Sequence, residues 1–329
     1  MRHFQSIHYL RAAAATMVVV FHIFSNVPFM HSGLQHAFWL RGGVDLFFVI
    51  SGFVMVQSTI GRKITPAQFI GQRALRIIPM YWVATFAVMM QIEGEWLFKL
   101  KSMLFIPAVN PESGMMQPVL EPGWTLNYEM FFYAVFAVSL FLKESLRLPA
   151  IACMFALLVF VGGIAENSQS VEFYTRPLVI EFVLGMAIAR YRFRVPVIAV
   201  PIAMAVMFLL QSEGVDRLYS LGLPAALIVA GALSYEDRVP QWRWADFLGS
   251  ASYSIYLFHL LALGFLVKIW PDAETNKSMF AMLSFGLMML TGCGVYWALE
   301  RPMMMILKGF RAKSTNVPGP RPDPLTAQS

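Results

Sequence analysis

Apolar runs of roughly 17–22 residues recur along the chain from near its start to about residue 299, separated by short polar stretches. Each is about long enough to cross the hydrocarbon core of a bilayer as a helix. The pattern predicts helices over 8–26, 39–58, 75–92, 124–142, 148–165, 177–190, 196–211, 218–234, 247–269 and 279–299. No stretch between them is long enough to form a separate soluble domain. The expected fold is an all-α integral membrane bundle of about ten transmembrane helices, one domain over 1–307. The longest connection, 93–123, is rich in Pro, Gly and Glu, and its apolar piece at 103–109 is expected to dip into the interface. Beyond Leu307 come Pro318, Pro320, Pro322 and Pro324, so 308–329 is expected to be a disordered tail. There is no internal repeat.

Composition sharpens this picture. The chain is 58% hydrophobic and only 13% charged, too little charge to cover a water-facing surface. The net charge of +6 would suit nucleic acid, but the charges fall between the apolar runs, as membrane topology requires. With the N-terminus inside, 18 of the 25 Lys and Arg residues fall in inner segments. The outer segments keep Arg41, Lys99, Lys101, Arg176, Arg217, Lys268 and Lys277. Both termini are therefore expected to be cytoplasmic. The eight tryptophans lie near predicted helix ends, as an aromatic belt demands. Cys153 and Cys293 lie inside apolar runs, which offers neither a disulfide framework nor zinc spacing, and no metal is expected. The first run has no small-residue cleavage site behind it and is expected to be a retained helix.

Five titratable residues lie inside predicted spans: His22, Asp45, Glu129, Glu181 and His259. Such groups are costly in lipid and usually face a protein-lined cavity. Counting from the helix ends puts all five in one layer, between the membrane centre and its outer third. Arg11 and His22 are eleven residues apart, so they share a helix face with about 16 Å between them along the axis. That arrangement suits a long ligand with an anionic head at the arginine and a reactive end near the imidazole. Arg73 and Arg76 share a face just before the third run. They are either a phosphate fork or plain cytoplasmic anchors.

Several stretches form a series. Leu10-Arg11 through Phe21-His22 gives R-x10-H. Gly43 to Phe53 reads GVDLFFVISGF, Arg73 to Trp82 reads RALRIIPMYW, and Gly123 to Phe132 reads GWTLNYEMFF. Ser252 to His259 reads SYSIYLFH, and Glu300-Arg301-Pro302 closes the last helix. Together these resemble the acyltransferase-3 family of membrane acyltransferases, and within it the exopolysaccharide-modifying (ExoZ-like, succinoglycan-acetylating) branch. The resemblance runs from about residue 4 to residue 305. It implies transfer of an acyl group from a cytoplasmic donor, usually acetyl-CoA, to a hydroxyl of a carbohydrate or other envelope molecule. It also implies functional roles for Arg11, His22, Arg73 and Arg76. The appended esterase-like domain of some relatives is not expected here, which leaves open whether a separate partner completes the transfer.

Elementary chemistry fits that implication. O-acetylation needs a base for the acceptor's proton, and histidine titrates near neutral pH. His22 is assigned as general base or as transient acyl carrier. Glu129 or Asp45 is expected to orient its imidazole, as a further residue does in hydrolase triads. Arg11, Arg73 and Arg76 are assigned to acetyl-CoA. His259, Glu181 and Tyr128 are candidates for contact with the acceptor; a supporting role for His259 is the alternative. The expected setting is the bacterial inner membrane, crossed several times. The expected partners are membrane lipid, a carbohydrate or lipid-linked glycan acceptor and polysaccharide-synthesis proteins, with no nucleic acid. Two other classes fit midplane polar groups as well: a transporter or flippase without chemistry, and a membrane scaffold or sensor.

Overall fold

A computed structural model describes residues 4–164, 168–211, 214–270 and 273–307. Among these residues the chain is helical, with one isolated antiparallel bridge, Val109 to Met116, in the long connection. The helices used below are α1 (Gln5–Ser25), α2 (Gly42–Thr59), α3 (Pro66–Met89), α4 (Trp96–Met103), α5 (Trp124–Ser139) and α6 (Glu144–Ile164). They continue as α7 (Val179–Tyr191), α8 (Ala199–Leu209), α9 (Leu223–Ser234), α10 (Arg243–Ile269) and α11 (Lys277–Val295). The tail expected at 308–329 lies outside the described residues.

Every predicted run falls on helix, so the all-helical expectation holds. Among the described residues five segments are long and apolar enough to cross a membrane: Gln5–Ser25, Phe38–Thr59, Glu144–Ile164, Arg243–Ile269 and Ala273–Leu307. Others fall short for identifiable reasons. At 13 residues α7 rises only about 20 Å, less than the roughly 30 Å hydrocarbon core. The helix α3 carries Arg73 and Arg76 and starts nine residues before the predicted run, at 66 and not 75. Thr65 and Gln68 cap that start reciprocally and Pro66 occupies the first turn, a polar signal that a search for apolar runs passes over.

Glycines decide how closely the central helices approach. A Cβ on Gly52 of α2 would stand 2.0 Å from the Phe182 carbonyl oxygen, and one on Gly185 of α7 would stand 1.9 Å from the Val49 carbonyl oxygen. The two backbones are therefore in direct contact, the small-residue packing that membrane bundles use. Gly249 does the same for α10 against α1, where a Cβ would meet the His8 carbonyl oxygen at 2.3 Å. These crossings place α1 between α2 and α10 and bring distant segments of the chain onto one polar interior. The start of α1 is held by Glu236, whose carboxylate accepts from the backbone N–H groups of Gln5 and Ser6 and from the Ser6 hydroxyl. A carboxylate there complements the positive end of the helix. Large apolar side chains on the outside, among them Phe141, Leu290 and Ile164, are exposed, as a lipid-facing surface requires.

Candidate active site

Two polar groups sit on α1, and a pair of aromatic side chains separates them. At the Arg11 end, α1, α2, α3, α5 and α10 enclose a cavity of about 120 Å³. Arg11, Arg73 and Arg76 line it, with Glu129, Ser51 and Tyr133. Glu129 Oε1 accepts from the Ser51 hydroxyl at 2.9 Å and from the Tyr133 hydroxyl. Arg11 lies in the field of Arg76, Glu129 and Glu300. Glu300 is buried and accepts from Ser254 Oγ at 2.6 Å. Arg73 lies over the Phe69 ring, 5.7 Å from its centroid, and its buried Nε lacks a hydrogen-bond partner. Among the described residues none of Arg11, Arg73 and Arg76 makes an ion pair. The cavity thus presents three guanidinium groups and one carboxylate that already serves two hydroxyls. Its chemistry suits a multiply charged anion such as a phosphate ester.

At the other end of α1, His22 meets His259 of α10. His22 Nδ1 lies 3.1 Å from His259 Nε2 and 2.9 Å from the Val18 carbonyl oxygen. His259 is fully buried, and its Nδ1 donates to the Tyr256 carbonyl oxygen at 2.7 Å. Tyr256 also lines the arginine cavity, and its hydroxyl meets Thr125 Oγ1 at 2.7 Å and the Pro122 carbonyl oxygen at 2.9 Å. Phe47, which also lines the cavity, packs edge-on against the Tyr256 ring at 5.8 Å. Tyr256 and Phe47 therefore form a partition, with the arginines on one side and the histidines on the other.

The remaining sequence candidates fall elsewhere, and the single titratable layer expected from helix counting divides into three groups. Asp45 is fully buried and accepts from Arg217 Nε at 3.0 Å and Nη2 at 2.8 Å, a bidentate pair. Neither Asp45 nor Glu129 hydrogen-bonds to His22, whose side-chain partner is His259. The physical reason is that each carboxylate is claimed locally, Asp45 by a guanidinium and Glu129 by two hydroxyls. Glu181 is fully buried beside Asp45 and Arg217. Tyr128 is buried, stacked on Phe173 at 4.1 Å, with its hydroxyl on the Phe173 carbonyl. In this structure His259, Glu181 and Tyr128 have no surface to offer an acceptor. Ser51, Tyr133, Tyr256 and Arg217 join these groups without a motif that marks them for it. Arg217 gave no signal, because it reads as one more basic residue of a connection and finds its partner 172 positions away.

Comparison with known proteins places the chain in a family. Residues 4–298 match the family described as an acyltransferase domain. The chain is similar to the exopolysaccharide production protein ExoZ of Rhizobium meliloti (strain 1021), with 41% identity over 287 residues, covering 80% of this chain and 89% of that protein. No solved structure matches the chain.

Proposed function

Because the chain belongs to the acyltransferase-3 family, we propose that it transfers an acetyl group from acetyl-CoA to a hydroxyl of an exopolysaccharide or another envelope carbohydrate. The observation that carries this reading is the cavity lined by Arg11, Arg73 and Arg76, none of which makes an ion pair among the described residues. Those arginines bind the phosphates of the donor, and Arg73 Nε gains the partner it lacks. The thioester arm then runs along α1 past Phe47 and Tyr256 toward His22, about 16 Å from Arg11 by helix rise. His22 takes the proton of the acceptor hydroxyl, the acceptor oxygen bonds to the acetyl carbon, and the CoA thiolate leaves and receives that proton. The name of the similar protein, an exopolysaccharide production protein, supports a glycan acceptor, free or lipid-linked.

The same reading sets the protein in a bacterial inner membrane. The basic asymmetry supports a cytoplasmic side for both termini and for the arginine end of the site, where acetyl-CoA is made available. His22 then lies nearer the opposite face. The test is transfer of radiolabelled acetyl from acetyl-CoA to a polysaccharide fragment by the purified chain in lipid nanodiscs. Labelled, CoA-dependent product is the expected result. Movement of the glycan across the bilayer with no label incorporated would replace this function with that of a flippase.

A further inference from the structure

Hydrogen-bond partners decide which nitrogen of His22 is free. A neutral imidazole carries one N–H and one lone pair, and a carbonyl oxygen only accepts. The Tyr256 carbonyl oxygen, 2.7 Å from His259 Nδ1, requires a proton on that nitrogen and leaves a lone pair on His259 Nε2. His22 Nδ1 then faces two acceptors, His259 Nε2 at 3.1 Å and the Val18 carbonyl oxygen at 2.9 Å, and must itself carry the proton. Every other pairing of neutral tautomers sets lone pair against lone pair at one or more of these contacts. The atom left with a lone pair is His22 Nε2.

We propose that His259 is a positioning residue that holds His22 in the Nδ1–H form and so makes Nε2 the atom that receives the acceptor's proton. This rests on the acyl-transfer reading above and adds the part it lacks. When the acceptor O–H bond breaks and its proton moves to His22 Nε2, the imidazole becomes an imidazolium. Its Nδ1–H then donates to His259 Nε2, which stabilises the new charge. A hydrolase triad gives this task to a carboxylate. Here a neutral ring performs it, so no fixed negative charge is buried in the apolar helix pair. The carboxylates that could have served are committed elsewhere, Asp45 to Arg217 and Glu129 to Ser51 and Tyr133.

The experiment uses the full chain in lipid nanodiscs with ¹⁵N-labelled histidine, His22 being assigned by its loss in His22→Gln. Nitrogen spectra should show His22 and His259 both protonated at Nδ1; a His22 protonated at Nε2 overturns the proposal. In the acetylation assay, His259→Phe keeps the ring volume and removes the acceptor, and turnover should fall on the order of 10²-fold with donor KM held. His259→Gln presents a carbonyl at similar reach and should recover roughly tenfold of that loss. A residue that only fills space gives the reverse order, Phe tolerated better than Gln, and that result also overturns the proposal. If His259→Phe does not fold, the spectrum and the Gln variant decide. Full activity in His22→Gln would remove the base reading, while the spectrum of the unmodified protein still decides the tautomer.

Discussion

Arg73→Ala separates a ligand-binding arginine from a structural one. In the free protein Arg73 makes no ion pair among the described residues, its Nε is unpartnered, and it lies over the Phe69 ring at 5.7 Å, in the field of Glu129. Removing it therefore leaves no carboxylate stranded, and the stability lost is at most about 1 kcal/mol, the scale of one cation–π contact. A charge-assisted hydrogen bond to phosphate is worth roughly 1.5–3 kcal/mol, so acetyl-CoA affinity should fall about 10- to 150-fold. Arg217→Ala should behave in the opposite way. It leaves Asp45, fully buried, without its bidentate partner, which costs roughly 3–5 kcal/mol of stability. The assays are calorimetric titration with acetyl-CoA and denaturant unfolding of both variants in the same nanodiscs. Lysine at 73 should restore only part of the affinity, since it lacks the planar fork. Unchanged affinity in Arg73→Ala, with stability lost as in Arg217→Ala, would refute the assignment of Arg73 to the donor.

Other expectations are checked more simply. His22→Gln keeps a polar side chain but cannot accept a proton at neutral pH, so acetyl transfer should fall on the order of 10²–10⁴-fold while acetyl-CoA titration is unchanged. Gly52→Val places side-chain atoms against the Phe182 carbonyl oxygen, already 2.0 Å from a bare Cβ, and should abolish the folded, monodisperse peak in size-exclusion chromatography. At the edge of the bundle, burial raises the Glu121 carboxyl above its usual range, against an Asn26 hydrogen bond that lowers it. A raised carboxyl contributes stability at low pH that is lost as pH rises through the raised value. Glu121→Gln should therefore lose less stability than the parent between about pH 4 and 7, measured by thermal unfolding. Cysteine-accessibility labelling should reach the 93–123 connection from outside and the 59–75 segment from the cytoplasm; labelling of 59–75 from outside would invert the topology.

Much of this protein is legible in one dimension. Helix formation follows from runs of apolar residues whose backbone must satisfy its own hydrogen bonds in lipid. The arginine cavity was half visible too. The i, i+3 spacing of Arg73 and Arg76 and the eleven-residue spacing of Arg11 and His22 are properties of a single helix, and helical geometry fixes them wherever the helix sits. Polar partners are different, because they are set by which helices touch. Asp45 and Glu129 were the natural candidates to orient His22 by depth alone. Depth, however, says nothing about azimuth, and the contact of α2 with α7 through Gly52 and Gly185 helps fix which neighbours the α2 side chains meet. Asp45 is turned to Arg217, Ser51 of the same helix is turned to Glu129, and His259 is left as the side-chain partner of His22. The helices, their order and the residues that do not belong in lipid are all legible along the chain. Only the packed bundle decided which of those residues meet, because each such contact joins side chains from helices whose relative rotation depends on the close approach of two backbones.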